Sequence, residues 1–114
     1  MSQTQQAFGG LPTTDADIMQ FCNLVQKMVN DHNQVPGPKS YGWTQICPSI
    51  GGERYIRIEQ YRYGHKSVYC FIERDTGAIM KSASWQRPAK HARGNIFADR
   101  PLDGCTVYGA MYLR

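Results

Sequence analysis

Little in the sequence meets the requirements of a membrane protein, a metal centre or a nucleotide-hydrolysing enzyme. No run approaches the roughly 18 apolar residues of a membrane span, and Met1-Ser2-Gln3-Thr4-Gln5-Gln6 offers neither a basic start nor an apolar core. The expectation is a cytosolic chain with no membrane partner. Cysteine is sparse: Cys22, Cys47, Cys70 and Cys105 stand 25, 23 and 35 residues apart, in apolar neighbourhoods and without a C-x-x-C pair. That spacing points to buried thiols rather than a zinc knuckle or a disulfide framework. The three histidines, His32, His65 and His91, are too scattered in sequence to suggest a metal triad and read as solvated side chains. Phosphate-loop, dinucleotide, H-E-x-x-H and G-x-S-x-G patterns are all missing. Adjacent sequence supplies no cluster of carboxylates for a nuclease metal. The sequence therefore favours a protein without cofactor, metal or catalytic residues.

What is present suits one small, β-rich domain. A chain of 114 residues can bury a single core, and seven Tyr, four Phe and two Trp lean toward strands. Residues 1–12, polar and carrying Gly9, Gly10 and Pro12, read as a flexible arm ahead of a domain over 13–114. Thr14 is placed to cap a helix, with Asp15 and Asp17 at its positive end. Ile18, Phe21, Cys22, Val25, Met28 and Val29 recur at three- and four-residue spacing, with Leu24 beside them, so an amphipathic helix is expected over 14–31. Val35-Pro36-Gly37-Pro38 ends it.

Beyond the prolines the apolar period changes to two. Strands are expected at about 41–47, 54–63, 67–74, 78–84 and 105–113. Gly64 and Gly77 are the residues that allow tight turns between the second, third and fourth. Pro88 to Gly94 has proline at its start and glycine at its end, the asymmetry of a short helical turn. It is expected to sit in a long crossover from the fourth strand to the fifth. The fold class is α+β, mainly β: an N-terminal amphipathic helix, then a five-stranded, strongly bent antiparallel sheet or small barrel. By element order alone it resembles the Sm-like and SH3-like arrangements.

Charge is distributed unevenly over this frame. Lys81, Arg87, Lys90, Arg93 and Arg100 face one acid, Asp99, whereas the rest of the chain carries eight charges of each sign, so the net charge of +4 arises within Lys81–Arg100. Such a concentration bears on partners rather than on fold. On a helical turn, Arg87, Lys90 and Arg93 would project to one side. Lys81, Trp85, Arg87, Lys90, His91 and Arg93 are thus candidate nucleic-acid contacts, the cations for phosphates and Trp85 or Phe97 for an unpaired base. The first reading of Trp85 is nevertheless a core residue that clamps the crossover, and the base platform is its second. A second candidate patch is the phase of the second strand that carries Tyr55, Arg57, Tyr61 and Tyr63. Its first reading is core rim, its second a ligand surface.

The run Tyr69-Cys-Phe-Ile-Glu-Arg-Asp-Thr-Gly-Ala-Ile-Met-Lys81, followed by Ser84-Trp-Gln-Arg-Pro-Ala-Lys-His-Ala-Arg-Gly-Asn95, resembles small uncharacterised proteins encoded by tailed bacteriophages. It spans about a quarter of the chain. The resemblance implies a viral origin and life in the host cytoplasm, and it brings no activity or catalytic residue with it. The expected function is an accessory protein that binds single-stranded DNA or RNA through the basic loop. The alternative is an interaction module, such as a homo-oligomer or a host-factor inhibitor, in which that loop is structural.

Overall fold

The protein, seen in a computed structural model, is described over residues 13–33, 44–49, 52–62, 64–106 and 109–110. The expected arm, Trp43 with the start of the first strand, Tyr63, and most of 107–113 lie outside the described residues.

One helix, α1 (Asp15–Asn33), precedes a five-stranded antiparallel sheet. Its start is fixed by a reciprocal pair of hydrogen bonds: the Asp17 N–H donates to Thr14 Oγ1 at 3.1 Å, and the Thr14 N–H donates to Asp17 Oδ2 at 3.0 Å. Two end donors of the helix are satisfied in this way. Ile18, Phe21, Cys22, Val25 and Val29 form the buried stripe, while Leu24 and Met19 face outward.

The sheet consists of β1 (Thr44–Pro48), β2 (Tyr55–Arg62), β3 (His65–Glu73), β4 (Ala78–Ser82) and β5 (Pro88–Asn95), hydrogen-bonded in that order. Gly64 and Gly77 take positive φ at the β2–β3 and β3–β4 turns, as their places in the sequence require. The helix covers one face, packing against Ile46, Ile56, Ile58, Cys70, Ile72 and Ile79. A bulge opposite Ile58 and Glu59 inserts Tyr69 as an extra residue in β3. Tyr69 and Cys70, adjacent in sequence, are consequently both buried, and the Tyr69 hydroxyl donates to the Thr106 carbonyl.

Two expectations are overturned. Pro88 to Gly94 is a strand, not a helical turn, and it pairs antiparallel with β4 rather than crossing over to a distant strand. A seven-residue segment is too short to be a stable helix by itself, and the free edge of β4 supplies a ready ladder. The reversal is a tight turn in which the Ala83 and Ser84 N–H groups both donate to the Arg87 carbonyl, at 2.8 and 3.1 Å. This turn ends β4 at Ser82, two residues before the expected boundary. The C-terminal segment, expected as the fifth strand, instead contributes β6 (Cys105–Thr106) and β7 (Gly109–Ala110), a separate two-stranded ladder. The five-stranded sheet stays open, with β1 and β5 at its edges.

Candidate functional site

Strand alternation gives the sheet a second face, turned away from α1. The register sets Arg57 opposite Phe71 and Phe71 opposite Met80. Phe71 and Met80, at 3% and 7% exposure, are buried although they lie outside the helix-side core. Tyr55 stands edge-on to Phe71, ring centroids 6.4 Å apart. This outer face therefore has an apolar floor of its own.

On that floor the chain assembles aromatic and charged groups from three separate segments. Trp85, in the β4–β5 turn, is 37% exposed, and the Arg57 guanidinium lies over its ring at 4.1 Å from the centroid. Arg57 also reaches the Trp85 carbonyl, at 3.5 Å, so β2 holds the turn through both ring and backbone. Lys66, from β3, sets its Nζ 5.3 Å from the Trp85 ring and 5.6 Å from that of Tyr61. Cations over aromatic faces attract the ring quadrupole, by about 0.5–1 kcal/mol at exposed sites. Among these groups lies a carboxylate: Glu59 accepts from Arg57 Nε at 3.0 Å and from the Tyr61 hydroxyl at 3.1 Å.

The six residues expected to form one basic patch are divided. Trp85 and Arg87 share the β4–β5 turn, and Arg87, Lys90 and His91 are exposed. Arg93 is half-buried and turns back on its own strand, its Nη1 donating to the His91 carbonyl. Lys81 lies in the phase of Ile79, toward the helix side, where its Nζ donates to the Ala110 carbonyl at 3.3 Å. It fastens β7 to the sheet and is not part of the outer face. Arg57 and Tyr61, from the second patch, belong to the same constellation as Trp85. Lys66 was missed because it lies in what reads as a turn, and only the β2–β3 register, with Tyr61 opposite Lys66, brings it in.

No group of three His, Cys, Asp or Glu side chains among the described residues is arranged to hold a metal ion. All four cysteines are free: Cys22, Cys70 and Cys105 are buried and Cys47 is half-buried. Burial pushes the Cys22 thiol up to about 12 and the Cys105 thiol up to about 11, and drives Cys70 well above the ordinary range. These are core thiols held in the neutral, unreactive form. Among the described residues, no helix is long and apolar enough to cross a membrane.

A model of a family of unknown function matches residues 13–108. The chain belongs to that family, DUF7717. No curated protein and no solved structure matches it. The DUF7717 match takes in α1, all five strands of the sheet and the Trp85 turn, so the outer face lies within the part of the chain that defines the family.

Proposed function

We propose that this DUF7717 protein binds single-stranded nucleic acid on the outer face of its sheet. The observation that carries the proposal is the exposed Trp85 ring with Arg57 and Lys66 beside it, with Arg87 in the same turn and Lys90 on the neighbouring strand. Unpaired bases stack on aromatic side chains without regard to sequence, and the cations beside them supply the phosphate attraction. A duplex, whose bases are already stacked, gains little from such a ring. An accessory role in a phage-infected cell, as the resemblance of residues 69–95 suggests, suits a small binding protein of this kind.

Titrating a labelled single-stranded oligonucleotide at about 50 and about 200 mM salt tests the proposal, since phosphate contacts make affinity fall steeply with salt. The expected result is binding at the lower salt, much weaker binding at the higher, and a preference for single strands over duplex of the same composition. No binding at low salt overturns it, as does undiminished affinity in the Trp85→Ala, Lys66→Ala double variant.

A protein-interaction module is the second reading, favoured by the exposed apolar Leu24 and Phe97 beside a hollow of about 440 Å³ between α1 and residues 96–101. Light scattering at micromolar concentration separates a self-associating form from the monomer.

A further inference from the structure

An acid in the middle of a phosphate-binding face calls for an explanation. The Glu59 side chain is only 8% exposed, and it lies on the outer face in phase with Arg57 and Tyr61. A carboxylate there offsets one of the two nearest cations and would repel a phosphate. Buried charges persist where their hydrogen bonds are satisfied, and among the described residues those of Glu59 run to Arg57, which lies over Trp85, and to Tyr61. Its Oε2 accepts from Arg57 Nε at 3.0 Å; its Oε1 accepts from the Tyr61 hydroxyl at 3.1 Å and lies 3.9 Å from Lys66 Nζ.

Arg57 is thereby held from both ends. Nε is fixed by Glu59, and the guanidinium plane meets the Trp85 ring and carbonyl. Lys66 is held loosely: its contacts to Glu59, Trp85 and Tyr61 are all long, and the side chain is 45% exposed. Its flexible stem can turn the ammonium to a phosphate without dismantling the rest.

Resting on the nucleic-acid reading, we propose that Glu59 is the positioning residue of this face, its carboxylate fixing Arg57 against Trp85 so that the indole is presented ready-ordered to an unpaired base. Ordering the receptor before binding removes a cost otherwise met on association.

The charge and the positioning role predict opposite signs, which makes the test decisive. Glu59→Gln removes the negative charge at nearly constant volume. If Glu59 acted only through its charge, the variant would bind single-stranded DNA more tightly. As a positioning residue, its loss weakens binding by roughly tenfold, the order of one lost base-stacking contact, despite the added positive charge. Arg57→Lys keeps the charge but loses the planar fork, and is expected to weaken binding to a similar extent; it serves where Glu59→Gln fails to fold by circular dichroism. In a Trp43→Phe background, acrylamide quenching of Trp85 in the free protein should rise in both variants. Unchanged or tighter binding by a folded Glu59→Gln or Arg57→Lys variant overturns the positioning role and leaves the nucleic-acid reading standing. Absence of binding by the wild-type protein overturns the reading itself, and the positioning role with it.

Discussion

Gln26 offers a stringent test of how this sheet is finished. It lies on α1, and its side-chain amide meets the backbone of β1 twice: Nε2 donates to the Thr44 carbonyl at 2.7 Å, and Oε1 accepts from the Ile46 N–H at 2.8 Å. A carboxamide carries the same donor and acceptor as a peptide group, so Gln26 occupies the place a further strand would take beside β1. Gln26→Leu keeps much of the volume and removes both bonds, together with a third from Nε2 to Asn30 Oδ1 at 3.1 Å within the helix. At roughly 1 kcal/mol net for each bond to the strand, the loss is about 2 kcal/mol, more with the Asn30 bond and if the orphaned N–H and C=O stay shielded from water. For a domain near 100 residues this corresponds to a fall in Tm of roughly 8 °C. Urea unfolding followed by circular dichroism should show a lower midpoint with an unchanged slope. Gln26→Glu keeps the acceptor and loses the donor, so its carboxyl is favoured in the protonated form on folding. Its folded value is then raised, and the recovered stability is present below the unfolded carboxyl range near pH 4 and lost as pH rises. A Gln26→Leu unfolding free energy within about 0.5 kcal/mol of wild type, the scatter of neutral surface changes, would refute the edge-capping role.

Lys81→Met should lower stability by about 1 kcal/mol through loss of its bond to the Ala110 carbonyl, while leaving oligonucleotide affinity unchanged, because Lys81 faces the helix side. A parallel loss of affinity would mean that the basic segment acts as one patch after all. The cysteines predict an alkaline limit to the fold. Their thiols are raised by burial, so their contribution is present in full below the unfolded value of 9.0 and is lost as pH climbs toward about 11 for Cys105 and about 12 for Cys22. Thermal melts between neutral pH and pH 11 should show Tm falling above pH 9, and a flat profile would contradict it. At neutral pH a thiol reagent should modify Cys47 well before Cys22, Cys70 or Cys105, since only Cys47 is partly open to solvent.

The helix and the first four strands were legible because their signals are local. Thr14 and Asp17 cap the helix within one turn, Ile56, Ile58 and Ile72 alternate at period two, and Gly64 and Gly77 mark the turns where they occur. The fifth strand was not legible, because Pro88-Ala89-Lys90-His91-Ala92 has neither alternation nor β-branched residues. Its conformation is set by the edge of β4, with two register shifts to fit. Of the candidate site, Trp85 and the exposed cations Arg87 and Lys90 could be named from composition. Their separation from Lys81 depends on strand phase, which a missed turn at Ser82 reverses. Glu59 lies two residues from Arg57 in the same strand phase, and the two form an ion pair. That Glu59 also holds Tyr61 and approaches Lys66 is a consequence of register.

The two edges of the sheet bear on how the protein meets a partner. Strand addition needs an edge with unpaired N–H and C=O groups in a regular row. At β1, Gln26 already engages the Thr44 carbonyl and the Ile46 N–H. At β5 the row is broken by Pro88, which has no N–H to give, and by register shifts on both sides of Met80, with the exposed Lys90 between them. Farther along, Gly104 lies so close against the Arg93 carbonyl that any side chain there would overlap it. Proline, lysine and bulges are the devices that discourage edge-to-edge pairing. Among the described residues, both edges are blunted and one face is occupied by α1, and the face that carries Trp85 beside Arg57 and Lys66 is the one on which the proposed binding rests.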